Sequence, residues 1–169
     1  MKRLLITGAA LAASLVLAAC GDSASETAAP AGGGQTVAVK SIDGIGDVLV
    51  DAGGKALYAS DMESDGKVHC TDGCTSFWQP LTLDSGTPTA ADGVGKLGVI
   101  KRADGARQVT ADGKLLYTFS EDSAGKVEGN GFADDFDGEH FTWNAVLAGG
   151  KLASSSGSQD GYSSGGNGY

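Results

Sequence analysis

Met62, His69, Cys70 and Cys74 lie within one short span. A thioether, an imidazole and two thiolates together suit a soft ion such as copper(I). Three residues separate the cysteines, which departs from the Cys-x-x-Cys spacing of zinc and thioredoxin-like sites. In an oxidising compartment the same cysteines form a disulfide beside a surface histidine, and that is the first expectation. Asp72-Gly73 is a turn pair able to bring the sulfurs together. Closing so small a loop contributes roughly 2 kcal/mol, enough to stiffen a loop but not to hold a fold.

Oxygen ligands offer a second chemistry. Asp61-x-Glu63-x-Asp65-Gly66, followed by Asp72, has the alternating spacing of a calcium loop. It lacks the closing bidentate glutamate, its flanks read as strands, and the cysteine pair falls inside it. The acids of Asp134-Asp135-Phe136-Asp137-Gly138-Glu139 read as a solvated loop in preference to a catalytic pair. Acyl transfer needs a nucleophile, a base and an oxyanion site. The Gly-x-Ser-x-Gly spacing occurs only at Gly161-Tyr162-Ser163-Ser164-Gly165, in the Ser- and Gly-rich tail, so no strand-to-helix elbow is read, and His69 and His140 are the only histidines. The chain is expected not to be an enzyme.

These residues need a scaffold and an address, and the two ends of the chain supply the address. Met1-Lys2-Arg3 is cationic, Leu4 to Ala19 is almost free of polar side chains, and Cys20 follows. That is the layout of a secretory signal over residues 1–19. The apolar run is shorter than the roughly 20 residues of an untilted membrane helix. Leu17-Ala18-Ala19-Cys20 resembles the lipobox of bacterial lipoproteins, which implies cleavage before Cys20 and acylation of its sulfur. Two or more acyl chains hold a protein stably at a membrane. Residues 20–36 lack bulky apolar side chains and read as a tether, and 154–169, rich in Ser and Gly, as a disordered tail.

Between them, residues 37–153 make one domain. With 12 Lys and Arg against 21 Asp and Glu the net charge is -9, so nucleic acid is excluded as a partner. An acidic surface keeps a tethered domain soluble and away from anionic headgroups. Short runs of Val, Ile, Leu and aromatics alternate with glycine turns. Val48-Leu49-Val50 and Ala56-Leu57-Tyr58 flank Asp51-Ala52-Gly53-Gly54, while Val109 and Leu115-Leu116-Tyr117 flank Ala111-Asp112-Gly113. The fold is expected to be all-β and antiparallel, a small sandwich or barrel.

It is also expected to be built from two tandem β repeats, about 48–81 and about 107–147. Gly54-Lys55-Ala56-Leu57-Tyr58 aligns with Gly113-Lys114-Leu115-Leu116-Tyr117, and Gly66-Lys67-Val68 with Gly125-Lys126-Val127. Phe77-Trp78-Gln79-Pro80-Leu81 pairs more loosely with Thr142-Trp143-Asn144-Ala145-Val146. Tyr58, Tyr117, Phe119, Trp78 and Trp143 could line a ligand groove, although aromatics at repeat-equivalent positions are more often core.

Tyr117-Thr118-Phe119-Ser120-Glu121-Asp122 carries a Tyr-x-aromatic-x-x-Asp motif. With Tyr58, the cysteine pair and Trp78-Gln79-Pro80-Leu81, it resembles a family of predicted bacterial lipoproteins known as the secreted repeat of unknown function. Ser60 and Glu63 replace the aromatic and the acid in the first copy, and the second copy lacks cysteines. The resemblance implies secretion, membrane anchoring and a β repeat, and no chemistry. The expected protein is a lipid-anchored domain on the extracytoplasmic side of the bacterial envelope, with a binding or structural role and no cofactor. Its only foreseen partner is the membrane, since the residues name no protein or small-molecule ligand. The alternative is a copper or thiol redox protein using Met62, His69, Cys70 and Cys74.

Overall fold

The computed structural model describes residues 35–155. The signal segment, Cys20, most of the tether and the tail from 156 onward lie outside the described residues. Ten strands run through the described chain: β1 (Val37–Ile42), β2 (Gly46–Asp51), β3 (Tyr58–Ser60), β4 (Trp78–Pro80), β5 (Leu97–Lys101), β6 (Arg107–Ala111), β7 (Lys114–Leu115), β8 (Tyr117–Phe119), β9 (Phe132–Phe136) and β10 (Glu139–Ala145). A single helical turn, α1 (Cys74–Phe77), and a 3-10 turn at Ala148–Gly150 complete the described elements. The fold is nearly all β, and its antiparallel sheets form a half-barrel.

The β1–β2 hairpin places Val39 opposite Leu49, and β5–β6 repeats it with Val99 opposite Val109. β7 adds to β6 through Thr110 and Leu115, as Ala56 bridges Val50 in the first copy. The structural repeat therefore starts earlier than its sequence signal, at β1 and β5. The other five strands form one sheet in the order β4-β8-β3-β10-β9. Tyr58 faces Tyr117 at its centre, where β3 meets β8.

Turn chemistry fixes these registers. Asp112 and Gly113 have φ of 49° and 83°, and Asp137 and Gly138 have 53° and 84°. Two successive positive φ values make the tight turn whose twist matches a hairpin. This corrects the reading of 134–139 as a solvated loop. Phe132, Asp134 and Phe136 share one face of β9, and Asp137-Gly138 turns that strand into β10. An Asp-Gly turn between alternating aromatics is a hairpin signal that the run of acids obscured.

Backbone hydrogen bonds show how the repeats combine. The Leu57 N–H donates to the Leu49 carbonyl, Leu49 to Val146, and Val146 back to Leu57, each at 2.8 Å. A second closed ring runs from Leu116 to Val109 (3.1 Å), Val109 to Leu81 (2.8 Å) and Leu81 to Leu116 (2.9 Å). In each ring two residues come from one repeat and the third from the other. The repeats have exchanged their tryptophan strands: β4 pairs with β8, and β10 with β3.

Leu49, Leu57, Val109, Leu116 and Val146 are buried together in one hydrophobic cluster, with Val37 and Val94. Tyr58, Trp78, Tyr117, Phe119, Phe141 and Trp143 dominate the other. Both clusters draw on both repeats, so neither half holds a complete core. Nicking the backbone at the exposed Ser85-Gly86 is expected to leave the halves associated, with a native near-UV spectrum. Each half purified alone should be unfolded by circular dichroism and recover native signal on mixing. An independently folded half would contradict the exchange.

Candidate functional site

Tyr58, Tyr117, Glu63 and Asp122 meet at the centre of the five-stranded sheet. The Tyr58 hydroxyl donates to Asp122 Oδ2 at 2.6 Å, and the Tyr117 hydroxyl donates to Glu63 Oε1 at 2.9 Å. Each tyrosine thus reaches the acid of the opposite repeat. Each acid also collects main-chain donors from its own repeat: Glu128 N–H on Asp122 Oδ1, and His69 and Cys70 N–H on Glu63 Oε1. The Gly129 N–H donates to the Tyr58 hydroxyl at 3.2 Å. The glutamate that replaces the motif's aspartate does the same work with one extra methylene.

Residues 98–146 match a secreted repeat of unknown function. The match begins in β5 and ends at Val146, whose amide closes the other repeat's ring. It contains Tyr117, Phe119, Asp122 and Trp143. No curated protein matches the chain, and no solved structure does.

Burial sets the electrostatics of the two crossed tyrosine–acid pairs. It raises the hydroxyl pKa values of Tyr58 and Tyr117 well above the ordinary tyrosine range, with the Asp122 and Glu63 carboxylates reinforcing the shift. Both tyrosines are therefore permanent neutral donors. Burial also raises Asp122, although the Tyr58 hydroxyl opposes the shift.

The second copy adds buried polar groups that the first lacks. Arg102 is 5% exposed and donates to Cys70 O and Gln108 Oε1, both at 2.6 Å, and to the Tyr117 hydroxyl at 3.3 Å. Gln108 in turn donates to Leu116 O at 3.0 Å. Neither Arg102 nor Gln108 was singled out by sequence, since an arginine beside the Asp104-Gly105 turn reads as surface. The buried Glu63 Oε2 and Arg102 Nε have no hydrogen-bond partner.

Trp78 and Trp143, the repeat-equivalent tryptophans, stack at 4.1 Å with rings 9° from parallel. Both indole N–H groups donate to Asp134, at 2.9 and 3.1 Å. Trp78 lies on one edge of the sheet and Asp134 on the other, so the half-barrel's edges are joined through side chains. Phe119 stacks on Trp78 at 4.5 Å. All five aromatics considered for a groove, Tyr58, Tyr117, Phe119, Trp78 and Trp143, are buried in the core.

The soft-metal set is not assembled. Cys70 and Cys74 form a disulfide and are fully buried, so their sulfurs are not available as thiolates. His69 Nδ1 lies 3.2 Å from Glu139 Oε1, and Met62 packs against the aromatic core. The calcium-like acids do not converge on one point: Asp61 Oδ1 accepts the Met62 and Thr142 amides, and Asp65 pairs with Lys67 at 2.8 Å. Among the described residues no group of three or more His, Cys, Asp or Glu is disposed to hold a metal ion. Spacing in sequence put these side chains close, and competition from local amides and the disulfide directs them apart.

Two measurements test this geometry. Tyr58→Phe strands Asp122 Oδ2 and the Gly129 amide, whereas Tyr117→Phe leaves Glu63 Oε1 with two amide donors. The first is expected to cost about 2–3 kcal/mol by denaturant unfolding and the second about 1 kcal/mol. Equal costs would contradict the different partner sets. Burial raises the Asp134 carboxyl against the pull of both indoles, so its folded pKa exceeds its unfolded one. The folded state then takes up the proton first, and the cost of the buried charge, present above that pKa, is relieved as pH falls through it. Tryptophan fluorescence should titrate there while the fold persists, and Asp134→Asn should abolish the step.

Proposed function

We propose that the chain is a bacterial envelope lipoprotein, cleaved before Cys20 and held at the extracytoplasmic face of a membrane by acyl chains on that cysteine. Its domain serves a binding or structural role without catalysis. The observation that carries this reading is the conjunction of Leu17-Ala18-Ala19-Cys20 at the end of an apolar run with the match of 98–146 to a secreted repeat. A secreted repeat implies an extracellular or envelope location. Among the described residues no helix is long and apolar enough to cross a membrane.

The state of the motif residues supports a role without chemistry. Tyrosines, tryptophans and acids are engaged with one another inside the core, so the fold presents a surface instead of reacting groups. A nucleic-acid partner is disfavoured by the net charge of -9.

Cys20→Ala is expected to move the protein from the membrane fraction to the soluble one, or to stall its processing. Unchanged fractionation with normal cleavage would sink the anchor.

A further inference from the structure

The two sides of the internal twofold, each made of one turn from either repeat, are not equal at one place. On one side, the Gly54 turn lies against the turn at Ala124-Gly125: the Gly125 N–H donates to Gly54 O at 3.0 Å, and a Cβ on Gly54 would meet the Ala124 Cβ at 3.5 Å. The equivalent turns on the other side are those at Gly113 and at Asp65-Gly66. There a Cβ on Gly113 or on Gly66 would meet nothing within 4 Å. The turns stand apart and leave a cleft of about 400 Å³.

Four carboxylates line that cleft, those of Asp61, Glu63, Asp65 and Asp112, against Lys114, and Lys67 pairs with Asp65 at 2.8 Å. Ala59, Leu115 and Leu152 give it an apolar part. Glu63 is 3% exposed, and its Oε2 is an acceptor with no partner. Its counterpart Asp122, on the side where the gap is closed, uses both oxygens. The orphaned oxygen and the open cleft therefore occur on the same side. A buried carboxylate oxygen without a donor is costly, and a ligand N–H that reached Oε2 would recover that cost.

We propose that this cleft binds a small organic cation, a guanidinium or alkylammonium group carried on a short apolar chain. A volume of this order suits a small ligand. The acids supply the charge complement and Leu115 and Leu152 contact the chain. An inorganic ion is disfavoured because the acids are not disposed to converge on one point. The inference rests on the non-enzymatic binding reading and names the ligand's chemical class.

The test titrates butylguanidinium, and its neutral isostere butylurea, into the ¹⁵N-labelled full chain in nonionic detergent micelles. Butylguanidinium is expected to shift amides at 59–66 and 112–115 along one saturating curve, and butylurea is expected to shift none. Asp65→Asn should weaken binding about fivefold, and Glu63→Gln about tenfold or more. If Glu63→Gln does not fold, Asp65→Asn at the cleft rim carries the test. Equal binding of butylurea, shifts spread to the acids at 134–139, or an unchanged affinity in Asp65→Asn would overturn the proposal. Membrane fractionation of the same cells before detergent extraction reports on the Cys20 anchor, so failure of one reading is separable from failure of the other.

Discussion

A carboxylate removed from water must be met by donors, and in this domain neither repeat owns enough of them. Glu63 and Asp122 take amide donors from their own loops and a hydroxyl from the other repeat's tyrosine. An unmet buried charge is among the most expensive defects a small core can carry. The crossing of the tyrosines therefore binds the halves together more stringently than apolar contact alone, which tolerates substitution of similar volumes. The strand exchange, the paired backbone rings and the shared hydrophobic clusters all conform to that requirement.

Around the crossing, the copies have diverged in ways that fit together. Cys70 begins the disulfide in one half, while its counterpart Gly129 lies where a Cβ would come within 2.8 Å of the Trp78 ring. Arg102 and Gln108 fill the interior beside Glu63, while β2 presents the apolar Val48 in the corresponding interior position. Asp134 has no partner copy at all: one carboxylate serves both tryptophans. An internal twofold that were exact would need two such acids in one place.

Much of this was legible in the sequence. Period-two apolar runs and Asp-Gly or Gly-Gly turns gave an antiparallel all-β fold, and the aligned Gly-Lys-x-Leu-Tyr segments gave the duplication. Even the loose pairing of Phe77-Trp78-Gln79-Pro80-Leu81 with Thr142-Trp143-Asn144-Ala145-Val146 is the true structural equivalence. The exchange of tryptophan strands was not legible, because swapped and unswapped repeats have the same local pattern and differ only in which copy a strand pairs with. Nor was the buried role of Glu63, which in sequence belongs to an alternating acidic run with Asp61 and Asp65. Its burial is set by Tyr117, a residue distant in the chain.

Tandem repeats with similar sequence can exchange material during replication, and such exchange tends to make copies alike. Here the Trp78–Trp143 stack opposes that. Copying the first repeat into the second would place a cysteine side chain at position 129, inside the space of the Trp78 indole. The reverse transfer would remove one half of a fully buried disulfide. The copies are locked into complementary sequences, so this gene should resist homogenisation at position 129 and at the cysteines even while its glycine turns drift toward one another.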